Sequence, residues 1–242
     1  MNNNIFVNRK GNCPNSYMTT IKLIKLLESG EIYKLNKDSL EKTNKYMYYP
    51  IISSRPESII IKGEWYKQTC SDDSNILGGS GNFLCNEESI KLPVLKATSE
   101  LLKYYNCKLI KHNDAFLFDS LKPVELTEID IGKMYYDGYI KGKNKGIYLE
   151  YHDTAHFHMP LNKDCEGFLV IGKQINKTNY ELTGFTIPYG YGVFMPADTI
   201  HNDIFLTGRY LVAYTKTNTY STVILKNKQT NKLVDISTNY IL

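Results

Sequence analysis

Apolar side chains recur at helical spacing in the first part of the chain. Ile21, Ile24 and Leu27 lie three residues apart, and Leu92, Leu95, Leu101 and Leu102 form a second apolar face. The elements predicted for this region are helices over residues 19–29 and 87–105 and a strand over residues 58–68. Residues 1–110 are therefore expected to form an N-terminal α+β region.

From about residue 109 the pattern changes to short β-rich segments bounded by Gly, Asn, Asp or Pro. Many short strands at regular spacing are typical of an all-β sandwich or barrel. The predicted strands cover residues 115–118, 133–141, 146–151, 156–160, 167–172, 180–187, 192–196, 209–214 and 221–225, with a hairpin turn over residues 141–145. The sequence therefore predicts a mainly β protein with a β-barrel domain over residues 111–242.

Charge and cysteine content narrow the class of protein. The 29 basic and 25 acidic residues nearly balance, and no basic stripe suggests a nucleic-acid partner. Apolar runs are far shorter than the ~20 residues of a membrane span, and the N-terminus lacks the apolar segment of a signal peptide. The five cysteines include no CxxC pair, so we expect free thiols rather than a disulfide framework or a zinc ribbon. These features favour a cytoplasmic protein that binds neither membrane nor nucleic acid.

Candidate chemistry concentrates on histidine. Three of the five histidines fall within residues 151–160. Alternation along a strand places His156 and His158 on the same face, and two imidazoles on one barrel wall form half of a metal site. His112 and His152 stand in ordinary contexts and are interpreted as surface or hydrogen-bonded core residues.

A later stretch carries a recognisable motif. Gly190, Pro196 and His201 match the second signature of the cupin family, which runs Gly, five residues, Pro, one residue, Gly, two residues, His. Asp198 replaces the middle glycine, and Phe205 stands where the family has Asn. Asp tolerates turn conformations, so the first departure is mild. The resemblance makes His201 the third candidate ligand, contributed by another strand.

The first cupin signature is matched in part. His156 and His158 fit its opening His-x-His pair, Glu166 is the nearest carboxylate of the right kind, and Gly172 is one place early. Seven residues rather than three or four separate His158 from Glu166, which a loop insertion would explain. Glu150 stands where the signature begins with glycine.

The resemblance covers a third to a half of the chain, roughly residues 134–225, and implies a cupin-type jelly-roll β-barrel. It implies one divalent metal ion bound by His156, His158 and His201, with Glu166 as a possible fourth ligand. Such donors suit Fe(II), Mn, Ni, Cu or Zn. The expected function is a metal-dependent oxygenase or isomerase acting on a small polar metabolite. Since cupins often pair through barrel edges, a homodimer is also expected.

Two alternatives stay open, because cupin barrels host many unrelated functions. One is a metal-free sugar or sugar-nucleotide isomerase with a histidine base and a tyrosine acid. The other is a non-catalytic ligand-binding or regulatory module. Activity after exhaustive chelation would distinguish the first, and saturable binding without turnover would distinguish the second.

Overall fold

The structure is a computed structural model that describes residues 8–10, 17–46, 48–67, 81–143, 146–215, 217 and 219–240. Strands make up 53% of it and helices 7%, and it contains a closed seven-stranded β-barrel. The predicted mainly β fold is therefore confirmed, and the architecture is consistent with a jelly-roll barrel.

The largest sheet, called here the barrel sheet, closes on itself. Its strands, in spatial order, are β14 (Leu169–Gln174), β17 (Ile200–Asn202), β12 (Tyr148–His152), β19 (Tyr220–Asn227), β6 (Gly81–Cys85), β5 (Ile59–Tyr66), β15 (Asn179–Thr186) and β8 (Val94–Lys96). Hydrogen bonds between β14 and β15 complete the ring, and β8 pairs with the end of β15 beyond β5. The closed ring therefore has an interior of its own.

A second sheet, called here the covering sheet, lies against the barrel. Its seven strands, in spatial order, are β1 (Asn8–Lys10), β2 (Tyr17–Leu27), β11 (Val124–Ile131), β18 (Gly208–Tyr214), β13 (His156–Pro160), β16 (Tyr191–Met195) and β9 (Lys108–Lys111). Along β13, Phe157 and Met159 pack in one apolar cluster, while His156 and His158 face the other way, toward the barrel sheet.

Smaller elements complete the fold. They are the small sheet of β10 (Ala115–Phe118), β3 (Glu31–Leu35) and β4 (Leu40–Lys42), the pair β7 (Ser89–Leu92) and β20 (Asp235–Thr238), the helices α1 (Ser99–Tyr104) and α2 (Lys141–Lys143), and a π-helix over Tyr135–Ile140. The small sheet covers the outer face of the covering sheet, where Phe116, Phe157 and Phe194 pack together. The main core fills the barrel and the space between the two large sheets.

The predicted helix over residues 19–29 is wrong, because this segment forms β2. β2 pairs with β11 through two register shifts, at which Ile21 and Ile24 have no partner opposite them. An extra residue at a β-bulge interrupts the two-residue alternation of a strand. The two bulges give the apolar residues of β2 the three-residue spacing that imitates a helix.

Three other predicted elements also differ from the structure. Residues 87–105 form β7, β8 and only the short helix α1, which begins after Thr98, whose side chain accepts a hydrogen bond from the Leu101 amide. Pro93 separates the two strands. Residues 133–141, predicted as a strand, contain the π-helix instead, and residues 141–143 are helical rather than part of a hairpin turn. Residues 144–145 of that predicted turn lie outside the described residues.

Most of the predicted strands after residue 109 are confirmed. Those over residues 115–118 and 156–160 have the predicted bounds, and the others match to within a few residues. The part of the chain before residue 110 and the part after it each contribute strands to the barrel sheet and to the covering sheet. The division into two domains at this position stays a prediction. Within the described residues, no helix has the length and apolar character that a membrane span requires.

Candidate metal centre

Three histidines meet between the covering sheet and the barrel sheet. His152 ends β12, His156 begins β13, and His201 lies in the middle of β17. The short connection 153–155 carries the chain from one sheet to the other, which brings His152 and His156 face to face although they are only four residues apart. His201 joins them because β17 pairs directly with β12.

The three side chains are close enough to share an ion. The ring centroid of His156 lies 4.5 Å from that of His152 and 4.6 Å from that of His201, and the remaining pair is 5.1 Å apart. One ligand atom from each residue lies within 4.8 Å of the others, and all three residues are buried. Ligands on opposite sides of a divalent ion are ~4.2 Å apart, since each metal–nitrogen bond is ~2.1 Å. The group could therefore hold a metal ion.

Hydrogen bonds orient two of the rings. His201 Nδ1 lies 2.9 Å from the Thr199 carbonyl oxygen, and His152 Nδ1 lies 3.1 Å from Thr154 Oγ1. A carbonyl oxygen can only accept, so His201 Nδ1 carries the proton and Nε2 keeps its lone pair. Support of this kind on the far nitrogen is typical of metal-binding histidines.

Buried nitrogens without partners mark the same site. His201 Nε2 and His156 Nδ1 are fully buried and have no hydrogen-bond partner among the described residues, and the same holds for both ring nitrogens of the neighbouring His158. Buried polar atoms are rarely left unpaired in native proteins, because each costs about 1–3 kcal/mol. Imidazole nitrogens of this kind suit a divalent transition metal, so the donor set fits the implied ion.

A carboxylate, that of Glu150, lies beside the group. Glu150 pairs in register with His201, and its Oε1 lies 3.5 Å from His201 Nε2. This contact is an ion pair only when His201 is protonated, and Nε2 has no hydrogen-bond partner among the described residues. Thr222 Oγ1 donates to the other carboxylate oxygen at 3.2 Å. Glu150 is thus held beside the three histidines with one oxygen turned toward them.

His158 takes part in a different arrangement. It is fully buried, and its Nε2 lies 3.5 Å from Asp203 Oδ2. Tyr148 donates a hydrogen bond of 2.8 Å from its hydroxyl to Asp203 Oδ1. Burial opposes the charge of Asp203, but His158 and Tyr148 outweigh burial and lower the pKa of this carboxyl well below its usual range. Asp203 is therefore a carboxylate between a histidine and a tyrosine.

The histidines of the group differ in their affinity for protons. Burial and the nearby His201 lower the pKa of His152 to about 4. Burial and the surrounding imidazoles lower the pKa of His156 well below its ordinary value. Burial acts in the same direction on His201, but the Glu150 carboxylate outweighs it and raises the pKa of His201. His152 and His156 are consequently neutral at pH 7 and have lone pairs for a ligand.

The predicted ligands separate in the structure. His156 and His201 come together, whereas His158 lies beside them, with its ring centroid 5.5 Å from that of His156, and is directed at Asp203. Glu166 is exposed, and its backbone forms a β-bridge with Thr207 outside the named strands. Its carboxylate is not among the ligand atoms that gather among the described residues.

Sequence reasoning missed two members of the site, His152 and Glu150. Alternation within one strand linked His156 to His158, but it could not show that residues 153–155 fold back toward β12. The available signal was the turn-forming Asp153–Thr154 pair between two strand patterns. Two-residue alternation along the preceding strand would also have placed Glu150 and His152 on one face of it.

No protein-family model, no curated protein and no solved structure matches the chain.

Proposed function

We propose that the protein is a mononuclear metal-dependent enzyme of the cupin type, acting on a small polar metabolite as an oxygenase or an isomerase. The observation that carries the proposal is the buried group His152, His156 and His201, with its unpartnered nitrogens. Fe(II), Mn, Ni, Cu and Zn all accept such donors. Three protein ligands leave coordination positions open, which is the arrangement of catalytic rather than structural sites.

Each residue has a distinct task in this proposal. His152, His156 and His201 would hold the ion, and Thr199 fixes the ring of His201 through Nδ1. A bound ion would supply Lewis-acid or redox chemistry. Glu150, 3.5 Å from His201 Nε2, is placed to accept a proton beside the metal or to complete its ligand shell.

Metal analysis tests the proposal directly. The protein is purified without a histidine tag or a chelator, and bound metals are measured by inductively coupled plasma mass spectrometry. We expect near-stoichiometric amounts of one transition metal in the unaltered protein. The double variant His152→Ala with His156→Ala should lose it, because two of the three donors are removed.

His112→Ala is the matched control, because His112 is exposed and lies outside the group. It should retain the metal. Circular dichroism of each variant separates loss of the ion from loss of the fold. Stoichiometric metal in a folded double variant would contradict the assignment.

A second candidate function is the metal-free isomerase, and the buried His158–Asp203–Tyr148 arrangement favours it. A histidine beside a carboxylate can act as a base, and a tyrosine hydroxyl can act as an acid. This enzyme would turn over sugar phosphates or sugar nucleotides after exhaustive chelation. The metal-dependent enzyme would lose its activity under the same treatment and regain it when the metal is restored.

A further inference from the structure

A second compartment lies inside the closed ring of the barrel sheet. Trp65 on β5 and Tyr151 on β12 have ring centroids 5.3 Å apart, although their strands are not neighbours in the sheet. Two residues on separated strands of a closed ring can meet only across its interior. Glu150 and His152 flank Tyr151 in sequence, so they face the opposite side, toward the covering sheet. The ring interior is therefore separate from the candidate metal centre.

One end of this interior opens into a cavity of about 650 Å³, called here the barrel-end cavity. Its wall includes the aromatic rings of Trp65, Tyr151 and Tyr180, and Trp65 contacts both tyrosines. A cavity of this size is within the range of sites for small molecules and cofactors. The flat surfaces are suited to a planar ring, which can stack on an aromatic side chain.

Positive charge surrounds the cavity. Among the described lining residues, Lys67, Lys173 and Lys177 contribute ammonium groups, and Asp198 is the only carboxylate. Lys67 Nζ lies 4.9 Å from the centre of the Tyr151 ring, so a cation stands next to the aromatic wall. Lysine ammonium groups bind phosphate as point charges. The cavity therefore combines a site for a ring with a site for an anion.

We propose that the barrel-end cavity binds a planar ring that carries a phosphate group, a ligand of the nucleoside monophosphate class. The ring stacks on Trp65 and Tyr151, and the phosphate lies at the rim near Lys67 and Lys177. The proposal does not depend on a metal, because its residues lie on the other side of β12 from the three histidines. It assigns a second site to the protein, beyond the proposed metal centre.

The chain contains a single tryptophan, which makes the cavity measurable. Trp65 fluorescence, excited at the red edge where nucleotides do not absorb, is followed during titration with AMP. We expect a saturable change in intensity. Adenosine, which keeps the ring and lacks the charge, should bind at least about tenfold more weakly, because it cannot form the charged hydrogen bonds of the phosphate. Isothermal titration calorimetry detects AMP binding that leaves the Trp65 fluorescence unchanged.

Two lysine variants provide the matched comparison. Lys67→Ala removes an exposed side chain at the rim and should weaken AMP binding by about tenfold. Lys62→Ala removes an exposed lysine of β5, the strand that ends just before Lys67, and lies outside the cavity, so this variant should bind AMP like the unaltered protein. The double variant His152→Ala with His156→Ala should keep the AMP response while losing metal, so the two proposals can fail separately.

Three results would overturn the proposal. The first is the absence of a saturable signal with AMP by both methods. The second is equal affinity for adenosine and AMP, which would indicate an apolar or sugar ligand without a phosphate. The third is the same affinity in Lys67→Ala and Lys62→Ala, which would remove the rim lysine from the site.

Discussion

At the scale of single residues, the candidate site shows what spacing can and cannot predict. His156 and His201 are both members of the buried group. His158 shares a strand face with His156 but lies nearer to Asp203, because each step of two residues moves a side chain ~6.6 Å along a strand. His152 lies on a different strand, β12, and its ring comes close to those of His156 and His201 because the chain passes from one sheet to the other after it. The two-residue alternation within a single strand does not predict such a contact.

The two glutamates provide a test at this scale. Glu150→Gln should weaken metal binding by about 10–100-fold, because it removes the carboxylate charge 3.5 Å from His201 Nε2. Glu166→Gln should leave the affinity unchanged, because Glu166 is exposed and outside the group. Competition against a chromogenic chelator measures both. A larger loss in Glu166→Gln than in Glu150→Gln would restore the carboxylate position expected from the cupin signature.

At the scale of secondary-structure elements, strand composition predicted more than apolar spacing did. β10 and β13 have the predicted bounds because each is a short run with aromatic residues that lies between turn-forming residues. For β2, the apolar spacing predicts a helix and is misleading. The spacing reflects bulges at Ile21 and Ile24, and these form only through pairing with β11, about 100 residues away. Such a bulge cannot be seen in the local sequence. Tertiary pairing decided this element.

Glu181 shows how elements are joined across the chain. On β15 its buried carboxylate accepts hydrogen bonds from Ser58 Oγ at 2.6 Å, from Tyr104 of α1 at 2.8 Å and from Arg55 Nε at 2.9 Å. Burial opposes its charge, but these partners outweigh burial and lower the pKa of Glu181 below its ordinary value of 4.5. The charged carboxylate therefore stabilises the folded state.

This arrangement predicts a pH-dependent stability. A lowered pKa in the folded state means that the stabilisation is complete above pH 4.5 and is lost as the pH falls through the folded-state pKa. At neutral pH, Glu181→Gln should lower the free energy of unfolding by about 1–3 kcal/mol. The difference between the two proteins should shrink under acid conditions.

Urea denaturation at several pH values measures the effect of Glu181→Gln. Glu57→Gln, at an exposed position in the same part of the chain, is the control and should change stability little. A stability difference for Glu181→Gln that stays constant down to pH values well below 4.5 would show that Glu181 is not held as a charged group.

At the scale of the whole molecule, stability rests on stacked layers, namely the small sheet, the covering sheet and the barrel. Phe157 of β13 is fully buried between the first two layers, and its ring stacks on Phe116 with a centroid distance of 5.8 Å. The sequence predicted the mainly β class and most of these strands. It could not predict the order of strands in space, because that order is fixed by contacts between residues far apart in the chain.

The layered arrangement predicts a large cost for losing Phe157. Phe157→Ala should lower the free energy of unfolding by about 3–5 kcal/mol, because it removes a buried ring and leaves a cavity. Leu121→Ala is the control, since Leu121 is 73% exposed and should change stability by less than ~0.5 kcal/mol. Thermal and chemical denaturation measure both variants. Similar stabilities would mean that the small sheet adds little to the fold.

β12 has five residues and serves two compartments, with Glu150 and His152 on one side and Tyr151 on the other. Side chains alternate along a strand, so a slip of one residue against β19 would send every side chain to the opposite face. Tyr151 would then point toward the candidate metal centre, and the side chains of Glu150 and His152 would point into the interior of the barrel sheet. Correct alignment of this one short strand is thus a condition for both sites at once, and a misaligned chain would lose both together.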